Sequence, residues 1–185
     1  MIYYHKIAVF DLDDTLYIGN SHIEFLCKQY NTIFFKSIMF KALGRLLPSI
    51  QHKIMFFLYD RIDSISKEKF LLNFRPSVIN LLKQKKLAGF HPIILSNAPR
   101  QLLINSAKKL GVDYISADVS EKSSALLEVY KYNTLFVCTD NKTDIDLIEL
   151  ADETVITCKI KNRKYFIKNL KTKKYKFMDV EDVKC

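Results

Sequence analysis

The sequence contains little glycine and little proline, four residues of each among 185. Disordered and fibrous chains are rich in one or both of them, so this composition excludes those classes. Hydrophobic residues make up 49% of the chain and aromatic residues 12%. That share is enough for a buried core, and the length predicts one domain or one domain with a modest insertion.

Cysteine is also scarce, and its four residues lie far apart at Cys27, Cys138, Cys158 and Cys185. No two of them form a C-x-x-C pair, so no zinc site or disulfide framework is predicted and a reducing compartment is expected. No apolar leader follows the first residues, and no window of about 18 uncharged apolar residues occurs. We therefore expect no secretory signal, no transmembrane helix and a cytoplasmic protein.

Acidic residues are fewer than basic residues. The sequence contains 29 Lys and Arg and 20 Asp and Glu, which gives a formal net charge of +9. Such an excess favours an anionic partner, namely a phosphorylated substrate, an acidic membrane surface or nucleic acid. Much of the excess lies late in the chain, at Lys159, Lys161, Arg163, Lys164, Lys168, Lys171, Lys173, Lys174 and Lys176. A basic run is more often a solvated face than a binding site, and no base-reading motif accompanies it. No specific nucleic-acid partner is therefore expected.

Short apolar runs alternate with longer helical segments, which predicts a parallel sheet covered by helices. Strands are predicted at residues 6–10, 92–95, 114–117, 134–139 and 154–158, and helices at 77–87, 100–110, 122–130 and 143–150. The predicted fold class is α/β, a Rossmann-like parallel sheet of about five strands flanked by helices. For the basic and aromatic segment that follows, a hairpin around residues 169–172 is one option.

One interval breaks this alternation. About eighty residues separate Asp11 from the second strand, far more than a crossover needs. Helical segments at residues 21–30, 31–43 and 50–61, with a break at Pro48, lie within the interval. We interpret it as a helical subdomain inserted after the first strand. The predicted domains are a core of residues 1–18 and 75–185 and an inserted subdomain of residues 19–74.

Two carboxylates follow the first strand, in the segment FDLDDTL at residues 10–16. Residues two apart in an extended segment point the same way, so Asp11 and Asp13 are expected to face one pocket beyond the carboxyl end of the strand, where open α/β sheets bind ligands. Adjacent carboxylates repel each other unless a cation or proton lies between them, and Mg²⁺ suits such oxygen ligands. The pair therefore predicts a divalent metal. An aspartate-rich surface turn is the alternative if the pair stands alone.

Polar residues also lie next to the other predicted strands. Ser96 and Asn97 close the second strand, where they are expected to donate to a phosphate or to cap the following helix, two roles that are compatible. Asp140 and Asp144 follow the fourth strand, where they either complete the metal site or cap a helix. Lys122 precedes that strand, and it is either an ordinary exposed lysine or a cation that neutralises a nucleophile and a phosphoryl group.

With these segments in this order, the sequence resembles the haloacid dehalogenase (HAD) superfamily over roughly residues 5–158. DLDDTL at residues 11–16 is similar to its first motif, DxDx[TV], and Ser96 after the run PIIL is similar to its second. Lys122 is the best candidate for the third motif, and Lys131 is a competitor. Asp140 and Asp144 in CTDNKTD are similar to the fourth.

The resemblance implies a phosphatase. Asp11 would attack phosphorus and form an aspartyl-phosphate, and Asp13 would act as general acid and then as general base. The implied Mg²⁺ ligands are Asp11, Asp13 through its backbone carbonyl, Asp140 and Asp144, the last as an orienting or outer partner. The implied phosphate ligands are Ser96, Asn97 and Lys122. One departure from the fourth motif is Thr139, which stands where glycine is frequent.

The insertion resembles the helical cap of the phosphoserine phosphatase-like branch of this superfamily, which closes over the site and sets specificity. Here the cap is rich in apolar and aromatic residues between positions 34 and 58, interrupted by Lys36, Lys41, Arg45 and Lys53. A packed cap core is the favoured interpretation. A basic amphipathic surface that touches a membrane or a lipid phosphate is the alternative.

The expected substrate is a phosphorylated small molecule or a lipid phosphate, hydrolysed by a cytoplasmic enzyme that could also lie at the inner face of the membrane. Two alternatives stay open at this point. One is a phosphotransferase, which passes the phosphoryl group to an acceptor other than water. The other is a non-catalytic binding or membrane-associated module on the same scaffold. The sequence leaves the oligomeric state open.

Overall fold

The structure is a computed structural model that describes residues 1–118, 121–172 and 174–180, so Lys173 and Cys185 lie outside the described residues. Its centre is a six-stranded sheet in the order β3-β2-β1-β4-β5-β6, with every neighbouring pair parallel. The strands are β1 Ile2–Phe10, β2 His91–Ser96, β3 Asp113–Ser116, β4 Tyr130–Thr139, β5 Glu153–Thr157 and β6 Tyr175–Met178. The predicted α/β class with a Rossmann-like parallel sheet is confirmed.

Helices cover the sheet and fill the interval after β1. In the described ranges the α-helices are α1 Ser21–Gln29, α2 Ile38–Leu46, α3 Pro48–Asp60, α4 Ser64–Lys69, α5 Pro76–Leu87, α6 Arg100–Leu110, α7 Lys122–Val129, α8 Ile145–Leu150 and α9 Ile160–Asn169. The helix predicted over residues 31–43 is wrong in its first half, because α2 begins only after Ser37, whose hydroxyl accepts from Phe40 N at 3.2 Å. Helix α4 was not predicted.

The end of the chain differs from the hairpin considered for residues 169–172. Helix α9 occupies the segment that would form the first strand of a hairpin, and the strand that follows, β6, pairs in parallel with β5 instead. Phe166 of α9 is buried, whereas Lys161, Lys164 and Lys168 are exposed. The alternation of basic and aromatic residues is therefore that of an amphipathic crossover helix with its charges in water.

Strand β1 lies in the middle of the sheet, and its last four residues, 7–10, are buried on both faces. Its side chains alternate between two apolar clusters: Ile7 and Val9 belong to one, and Ala8 and Phe10 belong to the other. This double burial is typical of parallel strands covered by helices, and it explains the continuous apolar run IAVF. The burial fixes where β1 ends, and so fixes the position of the polar residues that follow it.

Helices α1 to α3 surround a third apolar cluster, which includes Phe25, Phe40 and Tyr59 and also Leu102 of α6. A packed core therefore exists among these helices, but six large apolar residues of α2 and α3 lie outside it and are exposed. None of the described helices is long and apolar enough to span a bilayer.

The segments that enter and leave these helices pair with each other. Tyr17 and Phe74 form an antiparallel bridge, and Ile18 N donates to Asn73 O at 3.1 Å. The predicted boundaries between residues 18 and 19 and between 74 and 75 fall at this crossing. The division into a core and a cap domain stays a prediction.

His22 gives the helical insertion a pH-dependent stability. Its Nε2 lies 3.1 Å from Met55 O, and its ring packs edge-on against Phe56 and Tyr59. Burial lowers the pKa of His22 from 6.5 to about 4. Between these two pH values the unfolded chain binds the proton and the folded chain does not, so stability falls as pH falls through this window.

We expect this histidine to contribute up to about 3 kcal/mol to the pH dependence of unfolding. In urea unfolding between about pH 4 and pH 7, the slope of stability against pH should decrease in His22→Gln. The matched control is His5→Gln, at an exposed position of β1, which should keep the wild-type slope. An unchanged slope in His22→Gln would contradict the account.

Candidate active site

The predicted site residues gather at the carboxyl edge of the sheet. Phe10 ends β1 in register with β2 and β4, and Asp11 N donates to Cys138 O at 2.9 Å. Asp11 therefore leaves β1 at the level where Ser96 ends β2 and Asp140 follows β4. The central strand order brings together three segments that are separated along the chain.

Lys122 joins two of these segments, the one that follows β1 and the one that follows β4. Its Nζ donates to Asp11 Oδ1 at 2.8 Å and to Asp144 Oδ2 at 2.9 Å, and the residue is 1% exposed. Burial alone would lower the pKa of the ammonium, but the charges of Asp11 and Asp144 outweigh burial and raise this pKa. The competitor Lys131 is exposed near the start of β4. Of the two lysines, it is Lys122 that contacts the proposed nucleophile.

Asp144 is fully buried behind this ion pair. Its Oδ2 also accepts from Thr139 Oγ1 at 2.7 Å, while its Oδ1 is buried with no hydrogen-bond partner among the described residues. Burial, together with the charge of Asp11, raises the pKa of Asp144 to about 6. These contacts give Thr139, the departure from glycine in the fourth motif, a physical role, because its hydroxyl orients Asp144.

Thr15 links the loop after β1 to the loop after β4. Its Oγ1 donates to Asp140 Oδ1 at 3.0 Å and accepts from Asp140 N at 2.9 Å. Burial, and then the negative charges of Asp11 and Asp14, raise the pKa of Asp140 to about 8. Thr15 was not among the candidate residues, although its place in the DxDx[TV] motif was a signal for it.

Asp13 contacts the first helix of the insertion. Its Oδ1 accepts from Ser21 N, the first residue of α1, at 2.8 Å. A helix N-terminus favours a carboxylate at this position. Burial nevertheless raises the pKa of Asp13 to about 7, with a smaller contribution from the charge of Asp11. That the side chains of Asp11 and Asp13 face one pocket stays a prediction.

Ser96 is buried at the end of β2, and its Oγ accepts from Ala98 N at 3.2 Å. The N-cap of α6 is Pro99, with no side-chain cap, so the expectation that Ser96 and Asn97 cap this helix is wrong. The hydroxyl instead belongs to the turn that follows the strand, and Asn97 is half-buried beside it.

Arg75 was missed by the sequence analysis. It is 9% exposed, and its guanidinium donates to Thr15 O and to Asp14 O, both at 3.3 Å, while its backbone N donates to Leu16 O at 2.7 Å. Arg75 therefore holds the loop that carries the first motif. Its only sequence signal was its place beside Pro76, at the predicted end of the insertion.

Replacement of Arg75 by Met should leave two loop carbonyls without their charged donor. We expect the free energy of unfolding to fall by about 2 kcal/mol. Arg75→Lys keeps the positive charge but lacks the several N–H donors of the guanidinium, so it should lose less stability than Arg75→Met. Urea unfolding measures both effects. Arg45→Met, at an exposed position of α2, is the control and should be neutral. Equal stabilities for Arg75→Met and Arg45→Met would contradict this role.

The donor set fits a magnesium ion. In the described ranges no group of three His, Cys, Asp or Glu side chains is gathered closely enough to hold a metal by itself. Mg²⁺ does not require one, since it usually binds through one or two carboxylates and takes its other oxygens from phosphate and water. The raised pKa values of Asp140 and Asp13 indicate carboxylates that a nearby cation would stabilise. Asp11 and Asp140, with the Asp13 carbonyl, are therefore a suitable oxygen set.

No protein-family model and no curated protein matches this sequence. Solved structures match its fold. A protein of unknown function from Bordetella pertussis Tohama I has a TM-score of 0.72 at 13% identity, over 95% of this chain and 98% of that one. A phosphoserine phosphohydrolase-like protein from Francisella tularensis subsp. tularensis SCHU S4 has a TM-score of 0.63 at 19% identity, over 90% and 93%. A phospho-aspartyl intermediate analogue of phosphoserine phosphatase has a TM-score of 0.61 at 16% identity, over 90% and 99%.

At these identities the likeness establishes the fold, and it extends over nearly the whole length of each compared chain. The compared structures include phosphoserine phosphatases. The motifs and the helical insertion of this sequence resemble the same group of proteins. The chain therefore shares its fold with solved structures of phosphoserine phosphatases.

Proposed function

We propose that this protein is a Mg²⁺-dependent phosphomonoesterase that forms an aspartyl-phosphate on Asp11. The observation that carries the proposal is the buried Lys122, which binds Asp11 and Asp144 together at 2.8 and 2.9 Å. A nucleophilic carboxylate must approach an anionic phosphoryl group, and a fixed cation beside it offsets their repulsion. The position of this ion pair, at the carboxyl edge of the parallel sheet, favours a functional role over a structural one.

The first half of the reaction transfers the phosphoryl group to the enzyme. A carboxylate oxygen of Asp11 attacks phosphorus, and the bond from phosphorus to the substrate oxygen breaks. Asp13 donates its proton to that leaving oxygen, so the dephosphorylated alcohol departs neutral. Burial raises the pKa of Asp13 to about 7, which suits a group that must hold this proton near neutral pH.

The second half releases phosphate. Asp13, now ionised, accepts a proton from a water molecule whose oxygen attacks the phosphorus of the aspartyl-phosphate. The bond between phosphorus and Asp11 breaks, inorganic phosphate leaves, and both aspartates return to their starting states. Lys122, the Ser96 hydroxyl and an amide of Asn97 would bind the phosphoryl oxygens during both halves.

The remaining residues position these groups. Asp144 and Thr139 hold Lys122 in place, so we propose Asp144 as an orienting residue and not as a direct metal ligand. Thr15 ties Asp140 to the loop that carries Asp11. Asp11, the Asp13 carbonyl and Asp140 would hold Mg²⁺, which when bound neutralises charge on the transferred phosphoryl group. We further propose that residues 19–74 act as a cap that selects the substrate, a phosphorylated small molecule or a lipid phosphate.

Phosphate release from a panel of soluble phosphomonoesters and lipid phosphates, with Mg²⁺ and with chelator, tests this proposal. We expect release that requires the metal, and the best substrate would decide between the soluble and the lipid class. A phosphotransferase would release phosphate slowly but would transfer it to an added acceptor alcohol. If folded protein with Mg²⁺ neither released phosphate nor transferred it to the acceptor, both the phosphatase and the phosphotransferase would be contradicted.

A further inference from the structure

Helices α2 and α3 expose an unusual amount of apolar side chain to solvent. Ile38 is 86% exposed, Met39 77% and Leu46 76%, all on α2. The exposed apolar residues of α3 are Ile50, Ile54 and Phe57. We call these six residues the cap face. Single exposed apolar residues are normal, but contiguous patches mark interaction sites.

The spacing on α3 places its part of the cap face on one side of the helix. Ile50, Lys53, Ile54 and Phe57 recur at intervals of three, one and three residues, which is a single helical stripe. Met55 lies on the opposite side and is buried in the cluster of the insertion. The exposed stripe is therefore not needed for packing within the chain.

Helix α2 has the same organisation. Met39 and Leu46 are seven residues apart, two turns along one side, and Ile38 lies next to them. Phe40 points the other way into the cluster, and its carbonyl accepts from Gln51 Nε2 of α3 at 2.8 Å. The two helices are thus tied to each other along their inner sides and carry their apolar stripes on the outside.

The charge around the cap face has one sign. Between Glu24 and Asp60 the sequence contains no acidic residue. The same interval contains Lys28, Lys36, Lys41, Arg45 and Lys53. Lys41, Arg45 and Lys53 are exposed on the helices that form the cap face. Long basic side chains can extend their charged ends to an anionic surface while their stems lie along apolar neighbours.

We propose that the cap face docks on an anionic lipid bilayer, with α2 and α3 in the plane of the interface. Apolar side chains would enter the boundary of the acyl chains, and Lys41, Arg45 and Lys53 would contact the acidic head groups. The same charges oppose a second copy of the chain as the occupant, because a twofold contact would bring like charges together. This docking is independent of the proposed phosphatase activity.

Sedimentation with vesicles of phosphatidylcholine, with and without phosphatidylserine, tests the docking. We expect the protein to be enriched on the phosphatidylserine vesicles and to be released by high salt. The double charge reversal Lys41→Glu/Arg45→Glu should lower the vesicle-bound fraction roughly tenfold or more. The triple variant Ile38→Ser/Met39→Ser/Leu46→Ser should lower it to a similar extent, and all five positions are exposed, so the fold should persist.

Matched controls lie on α5, away from the cap face. Lys83→Glu/Lys86→Glu reverses two exposed lysines, and Leu87→Ser removes a leucine that is 89% exposed. Both should keep wild-type binding. Asp11→Asn should also sediment as wild type, so a failure of the phosphatase proposal would leave this one standing.

Three results would overturn the proposal. One is no enrichment on phosphatidylserine vesicles, and another is an equal loss in the α5 controls. The third is a concentration-dependent dimer in analytical ultracentrifugation that the triple variant abolishes, which would assign the cap face to a second copy of the chain.

Discussion

Asp11→Asn is expected to lower Mg²⁺-dependent phosphate release by about 10³-fold or more. The amide has nearly the shape of the carboxylate but cannot serve as the nucleophile. Lys122 keeps its ion pair with Asp144 at 2.9 Å, so the buried cation is not left without a partner. The variant should therefore fold, and the loss should be a loss of turnover. Steady-state assays on the best substrate, with circular dichroism for folding, measure both.

The control for this change lies three residues away. Asp14 is exposed, and it has a φ of 56°, a left-handed backbone conformation that asparagine also tolerates. Asp14→Asn removes the same charge from the same loop, and we expect it to retain most of the turnover. Equal losses of activity in Asp11→Asn and Asp14→Asn would mean that turnover depends on the negative charge of the loop. That result would contradict Asp11 as the nucleophile.

Lys122→Met should have the largest effect on stability. It removes the cation that pairs with Asp11 and Asp144, and leaves both carboxylates buried without a positive partner. Loss of one member of a buried ion pair costs about 3–5 kcal/mol, and we expect a loss of unfolding free energy in this range. Phosphate release should fall by about 10²-fold or more in the fraction that remains folded. Urea unfolding and assays at saturating Mg²⁺ measure the two effects.

Two further variants separate stability from catalysis. Lys131→Met, at the exposed competitor position, should be neutral in both assays. In Lys122→Met both Asp11 and Asp144 are buried carboxylates without a cation. The double variant Lys122→Met/Asp144→Asn removes one of these two charges, so it should regain part of the stability but none of the turnover. Wild-type stability in Lys122→Met would mean that the ion pair does not form in solution.

The core of the fold was predictable from sequence because its strands are buried on both faces. Runs such as IAVF at residues 7–10 and LFVC at residues 135–138 are apolar without interruption, which is typical of central parallel strands. Strand β6 was not predicted. It lies at the edge of the sheet, half-buried, and its sequence YKFM contains a lysine that faces water. Edge strands carry a weaker pattern because only part of their surface meets the core.

The carboxylates of the site were predictable because they follow strands, and strand ends meet in a parallel sheet. The role of Arg75 was not predictable. Its contacts with Asp14 and Thr15 join residues about sixty positions apart in the sequence, and no periodic pattern in the sequence indicates such a contact. Thr139 was noticed only as a departure from a motif. Its hydrogen bond to Asp144 depends on the turn between them, which the sequence pattern does not specify.

The inserted helices show a different limit of sequence analysis. An apolar residue on a helix contributes equally to a periodic pattern whether it packs inside the chain or faces outward. Phe40 and Met39 are adjacent and both apolar, yet the first is buried and the second is exposed. The core of the insertion and the cap face could be separated only once the neighbours of each helix were known.

Detection of the phosphoenzyme tests the central claim most directly. The protein would be mixed with its best substrate and Mg²⁺, quenched in acid, digested and examined by mass spectrometry. We predict a peptide that carries one added phosphoryl group, located by fragmentation on Asp11 and absent from Asp11→Asn. Turnover without any such peptide, or with the group on another residue, would contradict an aspartyl-phosphate on Asp11.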